Sequence, residues 1–142
     1  MKYWIIFILS LLLTPISHAT NKKCPEKGIC LQVLGSGGPE LQDKRASSSY
    51  LVWQNGKARI LIDAGGGSAL RFGQSGASMV DLYAVAFTHF HVDHSSDFPA
   101  LIKSSFFSGR SKDLPVFGPD GNRFLPSATQ FVQRLFNENN GV

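Results

Sequence analysis

Three of the four histidines in this 142-residue chain stand within six positions, at His89, His91 and His94, directly behind the apolar run Tyr83-Ala84-Val85-Ala86-Phe87. Such a run suits a buried strand. In an extended segment side chains alternate, so His89 and His91 point to one side and Phe90 to the other. Two imidazoles so spaced can hold one metal ion. Asp93 and His94 follow where the chain must turn, and they can reach a second ion beside it. Clusters of His and Asp behind a buried strand rarely serve packing, so the fold has to deliver this strand end and turn to one polar point. Imidazole and carboxylate donors suit zinc, with manganese or iron as substitutes. Such an ion lowers the pKa of its bound water to about 7 and makes hydroxide available at neutral pH.

The fourth histidine, His18, lies in a segment of a different kind. Lys2 precedes an apolar run over residues 3–13 that only Ser10 interrupts, Thr14-Pro15 break it, and Ser17-His18-Ala19 offers small residues where a signal peptidase reads. The reading is a secretory signal peptide over residues 1–19, cleaved after Ala19. The run is too short for the ~20 residues that span a bilayer, so the remaining domain, residues 20–142, is expected in the periplasm or outside the cell and off the membrane. The only two cysteines, Cys24 and Cys30, then lie in a compartment that permits disulfides and are expected to pair. The net charge of +4 comes with no Lys/Arg run, so it carries no argument for nucleic-acid binding. With 43% hydrophobic and 17% charged residues, the chain is neither disordered nor collagen-like.

Along that domain, residues 29–34 read as a strand ended by Gly35-Ser36-Gly37-Gly38-Pro39, and a polar loop covers residues 40–48. Residues 50–53 and 59–62 read as strands joined through Asn55-Gly56, a strong hairpin turn. A weak helix over 68–72, a strand over 83–87, a helix over 98–107 with Pro99 in its first turn, and a short strand over 115–117 follow. The last helix is the clearest. Ala128, Phe131, Val132, Leu135 and Phe136 share one face, Ser127 and Gln130 make a capping box, and Asn139-Asn140-Gly141 end it. About five strands with alternating helices make the fold α/β. Gly73-Gln74-Ser75-Gly76-Ala77 approximates a nucleophile elbow, but no histidine outside the cluster can serve as its base.

His89-Phe90-His91-Val92-Asp93-His94 resembles the H-x-H-x-D-H signature of the metallo-β-lactamase superfamily. Leu34-Gly35-Ser36-Gly37-Gly38-Pro39, followed by Arg45 and Ser47-Ser48-Ser49-Tyr50, resembles the opening of its ribonuclease Z and phosphodiesterase branch. Ile60-Leu61-Ile62-Asp63-Ala64-Gly65 and Asp97-Phe98-Pro99 are similar to its strand turn and helix start. The resemblance implies His89 and His91 on a first zinc, Asp93 and His94 on a second, and Asp63 behind them as a hydrogen-bonding support. It implies that Asp93 also positions the attacking hydroxide. The implied fold is the N-terminal half of an αββα sandwich, apparently truncated, because the further His and Asp ligands of the family's second half have no counterpart here. One sheet face is therefore expected to stay exposed. The implied function is an exported zinc-dependent hydrolase of small-molecule phosphodiester or related ester and amide substrates, lactams being second choice. The competing expectation is a non-catalytic remnant that binds metal or a partner.

Overall fold

Hydrogen bonding in the computed structural model, which describes residues 24–141, joins five strands into one sheet in sequence order. They are β1 (Ile29–Gly35), β2 (Ser49–Gln54), β3 (Lys57–Ile62), β4 (Ala84–Ala86) and β5 (Val116–Phe117). The first three are antiparallel, whereas β4 and β5 run parallel to β3. Four helices accompany them: α1 (Ser68–Ser75), α2 (Val92–Ser95), α3 (Phe98–Phe107) and α4 (Ala128–Phe136), with a 3₁₀ turn over Met79–Asp81. The proposed signal peptide lies outside the described residues. None of the described helices is long and apolar enough to cross a membrane.

The β2–β3 hairpin turns on Asn55 and Gly56 at φ 50° and 73°. This is the left-handed pair that Asn-Gly supplies at least cost, and it matches the strand twist. The pleat then sorts the side chains. Leu51, Leu61 and Val85 stand in register on one face, are fully buried, and pack with Phe72, Phe98 and Leu101 of the helices. The opposite face carries Leu31, Val52, Ile60 and Ala84 in one row and Val33, Tyr50, Ile62, Ala86 and Phe117 in the next. Leu31, Val33 and Phe117 are 60%, 56% and 60% exposed. An apolar sheet face of this extent is open to solvent, as expected for half of a two-sheet sandwich.

Several boundaries differ from the sequence reading: β1 and β2 gain a residue or two at their ends, β3 starts at Lys57 rather than Arg59, and β5 starts at Val116 rather than Pro115. Helix α1 runs on to Ser75, because its stop is Gly76 at φ 77°. Strand β4 shortens to three residues. Helix α4 ends at Phe136 and is closed by Asn137, whose side-chain oxygen accepts the N–H groups of Asn139 and Asn140. The remaining features agree. The helix over Phe98–Phe107 has its proline in the first turn, and Ser127 and Gln130 form the reciprocal capping box. Cys24 and Cys30 are joined by a disulfide with Cα atoms 5.7 Å apart. The Ser75 hydroxyl donates to the Phe72 carbonyl at the end of α1, so no nucleophile elbow exists there.

Candidate metal centre

The site is assembled where β3 and β4 end side by side. Asp63, the first residue beyond β3, has φ 56° and is 1% exposed. Its N–H donates to the Ala86 carbonyl at 2.9 Å, extending the β3–β4 ladder by one step. Its own carbonyl accepts the buried Ser49 hydroxyl at 2.9 Å. The next residues tie this corner to the histidine loop, with Ala64 N–H on the His94 carbonyl at 2.7 Å and Asp97 N–H on the Ala64 carbonyl at 2.9 Å. Gly65 is required by contact: a Cβ there would strike the Asp93 carbonyl and the Ser47 side chain.

Beyond β4 the alternation holds as the sequence implied. Phe90 turns inward, 8% exposed, and stacks on Phe131 of α4 at a centroid distance of 4.3 Å. That anchor sends His89 and His91 outward, their rings 4.6 Å apart, and the His94 ring lies 4.0 Å from His89. The chain then closes into α2, with the His91 carbonyl accepting the His94 N–H and the Ser95 hydroxyl, each at 2.9 Å. The sequence implied a turn here but not its helical form, and that form brings His94 back beside His89.

Beneath the cluster sits the Asp63 carboxylate. One oxygen accepts the Thr88 N–H at 2.8 Å; the other accepts the Thr88 hydroxyl at 2.8 Å and faces His94 Nδ1 at 2.8 Å. A carboxylate can only accept there, so His94 offers an N–H at Nδ1, which leaves Nε2 as the ring atom available to a metal. His94 Nε2 lies 3.4 Å from Asp93 Oδ2, and His89 Nε2 lies 3.1 Å from His91 Nδ1. Two donors bound to one tetrahedral zinc at about 2.0–2.1 Å stand about 3.3–3.4 Å apart, so both pairs fit an ion in spacing and in donor chemistry. Among the described residues no group of three or more His, Cys, Asp or Glu is placed to hold one ion together. Burial first, then the neighbouring His94 and His91, press the His89 pKa below the ordinary histidine value, against the opposite pull of Asp63 and Asp93. This favours the neutral imidazole that a metal needs.

Two roles at the site escaped sequence reasoning. Thr88 binds both Asp63 oxygens, and nothing in its position marks it beyond adjacency to His89. Asp97 opens α3, yet its Oδ2 accepts the N–H of Ala69 at 2.9 Å, capping α1 and locking that helix to the loop.

Residues 43–133 match the family model described as the metallo-beta-lactamase superfamily. A ribonuclease Z from Clostridium acetobutylicum is 36% identical over 108 residues, covering 76% of this chain and 34% of that protein. The chain thus spans about a third of the length of this relative. Among solved structures, the metallo-beta-lactamase fold protein YhfI of Bacillus subtilis superposes with a TM-score of 0.61 at 22% identity, over 80% of this chain and 43% of that one. Human tRNase Z, short form, gives a TM-score of 0.59 at 24% identity, over 73% and 38%. These likenesses show that the five-stranded sheet and its helices are part of that fold. The expectation of a small-molecule substrate gains no support from relatives whose names refer to RNA.

Proposed function

The chain belongs to the metallo-beta-lactamase superfamily, with hydrolases of the ribonuclease Z kind as its relatives, and on that footing we propose that it is an exported, zinc-dependent hydrolase of phosphodiester bonds. The observation that carries the reading is the pairing of donor atoms at the strand exit: His89 with His91, and Asp93 with His94, above a buried Asp63 that fixes the His94 proton. His89 and His91 would hold one ion, Asp93 and His94 another. When bound, such ions supply an activated water and a Lewis acid for the phosphoryl oxygen. Asp93 would also accept a hydrogen bond from the attacking water or hydroxide and so set its direction. Asp63 keeps His94 in the tautomer that leaves Nε2 free, and Thr88 holds Asp63 from the other side. Gly65 lets the loop close against the sheet without a gap.

The second reading is a chain that binds metal without turnover. It is favoured by the two-donor pairs, because each ion would take most of its coordination from water. Zinc content and bis-nitrophenyl phosphate turnover, measured for the wild type and for His91→Ala, test both. Zinc-dependent turnover lost in the variant supports the hydrolase. Zinc binding lost in the variant, with no turnover in either protein, supports the second reading. Undiminished activity in the variant ends the role given to His91. Export is tested by fractionation and N-terminal sequencing, with a mature start at Thr20 expected and an intact Met1 contradicting it.

A further inference from the structure

A cleft of about 310 Å³ opens between the end of β1, the loop around residues 44–46 and the second half of α1. Lys44, Arg45 and Arg71 line it, and no Asp or Glu does. Arg45 is held from outside the cleft by Asp43, with Nε and Nη2 3.2 and 3.1 Å from Oδ2. Among the described residues neither Lys44 nor Arg71 is paired with a carboxylate, so two positive charges stand uncompensated. Arg71 Nη1 donates to Gln74 Oε1 at 3.0 Å, which orients the guanidinium and leaves its other N–H groups available. Gln74 and Ser36 add neutral polar groups to the walls. The volume suits a small ligand group, and Lys and Arg side chains lining one cleft without a carboxylate suit the oxygens of a phosphate.

The cleft is tied to the metal loop. Because β1 and β3 both run antiparallel to β2, their C-terminal ends lie at the same end of the sheet. The loop that supplies Lys44 and Arg45 continues into Ser47, whose N–H donates to the Gly66 carbonyl at 2.8 Å. The Ser48 carbonyl accepts the Gly65 N–H at 3.1 Å, and Gly65 backs directly onto Asp93. We infer that this cleft is an anion subsite that takes a second phosphate of an extended phosphodiester chain, away from the bond addressed at the histidine loop. The identity of the ligand rests on the phosphodiester reading above; the cleft itself does not.

The test is binding of a short single-stranded oligonucleotide to the full chain in the presence of a chelator, so that no turnover is needed. The variants Lys44→Gln and Arg71→Gln keep most of the side-chain length and lie on exposed positions. Each is expected to weaken binding several-fold, and both together about ten-fold, while the slope of log affinity against log salt falls by about 0.7 for each phosphate left without its cation. Equal affinity and slope in folded variants would overturn the subsite. Amide shifts of Lys44 and Arg71 in the wild type are an independent readout: they are expected to move with the oligonucleotide, and their silence overturns the inference even if a variant fails to fold. Inorganic phosphate is expected to compete only weakly. Phosphate binding as tightly as the oligonucleotide would show a single-ion site and overturn the extended chain. Absence of turnover with oligonucleotide binding intact sinks only the hydrolase reading. Turnover of bis-nitrophenyl phosphate with unchanged oligonucleotide affinity in the variants sinks only the cleft.

Discussion

Replacing Asp63 separates folding from metal binding, because one carboxylate serves both. It is 1% exposed and meets three donors, the Thr88 N–H, the Thr88 hydroxyl and His94 Nδ1, each at 2.8 Å. In Asp63→Ala those groups lose their acceptor at a buried position. A buried polar group left unpaired costs about 1–3 kcal/mol, and alanine at φ 56° adds about 1 kcal/mol or more of backbone strain. A loss of about 3–5 kcal/mol is expected, a large share of the roughly 5–15 kcal/mol that holds a domain together. Asp63→Asn is the sharper variant. Asparagine tolerates the left-handed backbone and keeps one acceptor for the Thr88 N–H. Its amide NH₂ then faces His94 Nδ1 and can only donate, so the His94 proton moves to Nε2 and the metal-facing lone pair disappears. Stability is expected to fall by only about 1–2 kcal/mol, while zinc affinity falls about 10–100-fold. Urea denaturation followed by circular dichroism reads the first quantity, and zinc titration against a chromophoric chelator reads the second. Zinc bound as tightly by Asp63→Asn as by the wild type would refute the tautomer assigned to His94.

Further outcomes follow from the same geometry. In the metal-free chain the His89 imidazole is expected to titrate below the ordinary histidine value, read from its ring proton shifts. A histidine depressed in the fold binds fewer protons than in the unfolded chain, so stability should rise with pH from the folded pKa up to about 6.5 and level off above it. Denaturation midpoints that fall with pH across that window would contradict this. Gly65→Ala is expected to cost about 2–4 kcal/mol and to weaken zinc binding, since the new methyl meets the Asp93 backbone carbonyl and the Ser47 Cβ, neither of them the far end of a flexible side chain; urea denaturation and zinc titration read the two effects. Phe131→Ala should cost about 2–4 kcal/mol by removing the ring on which Phe90 stacks, with a lower melting temperature as the readout.

Much of this was legible in the sequence because it is written in local physics. Period-two alternation fixes which way His89, Phe90 and His91 point, and Asn-Gly fixes the hairpin. The Ser127–Gln130 box starts α4 where its apolar face begins. What could not be read depends on contacts distant in sequence. Thr88 and Asp63 are 25 residues apart and Asp97 and Ala69 are 28 apart, and only the parallel arrangement of β3 and β4 brings them together. Helix α2 carries no apolar period, being a single turn closed by backbone bonds to His91. The exposed sheet face was foreseeable from the family resemblance, whereas the cationic cleft was not, since Lys44 and Arg71 come to line one cleft only when α1 folds back along β1.

The proposed chemistry requires that His89, His91, Asp93 and His94 together grip divalent cations. X-ray absorption at the zinc edge of the zinc-loaded chain reads this at the donor atoms themselves. A first shell of nitrogen and oxygen at about 2.0–2.1 Å is expected, with about 1.5 imidazoles per zinc because three histidines serve two ions. That imidazole signal should vanish in His89→Ala/His91→Ala/His94→Ala. Zinc bound without any imidazole scattering, or an identical spectrum in the triple variant, would contradict it.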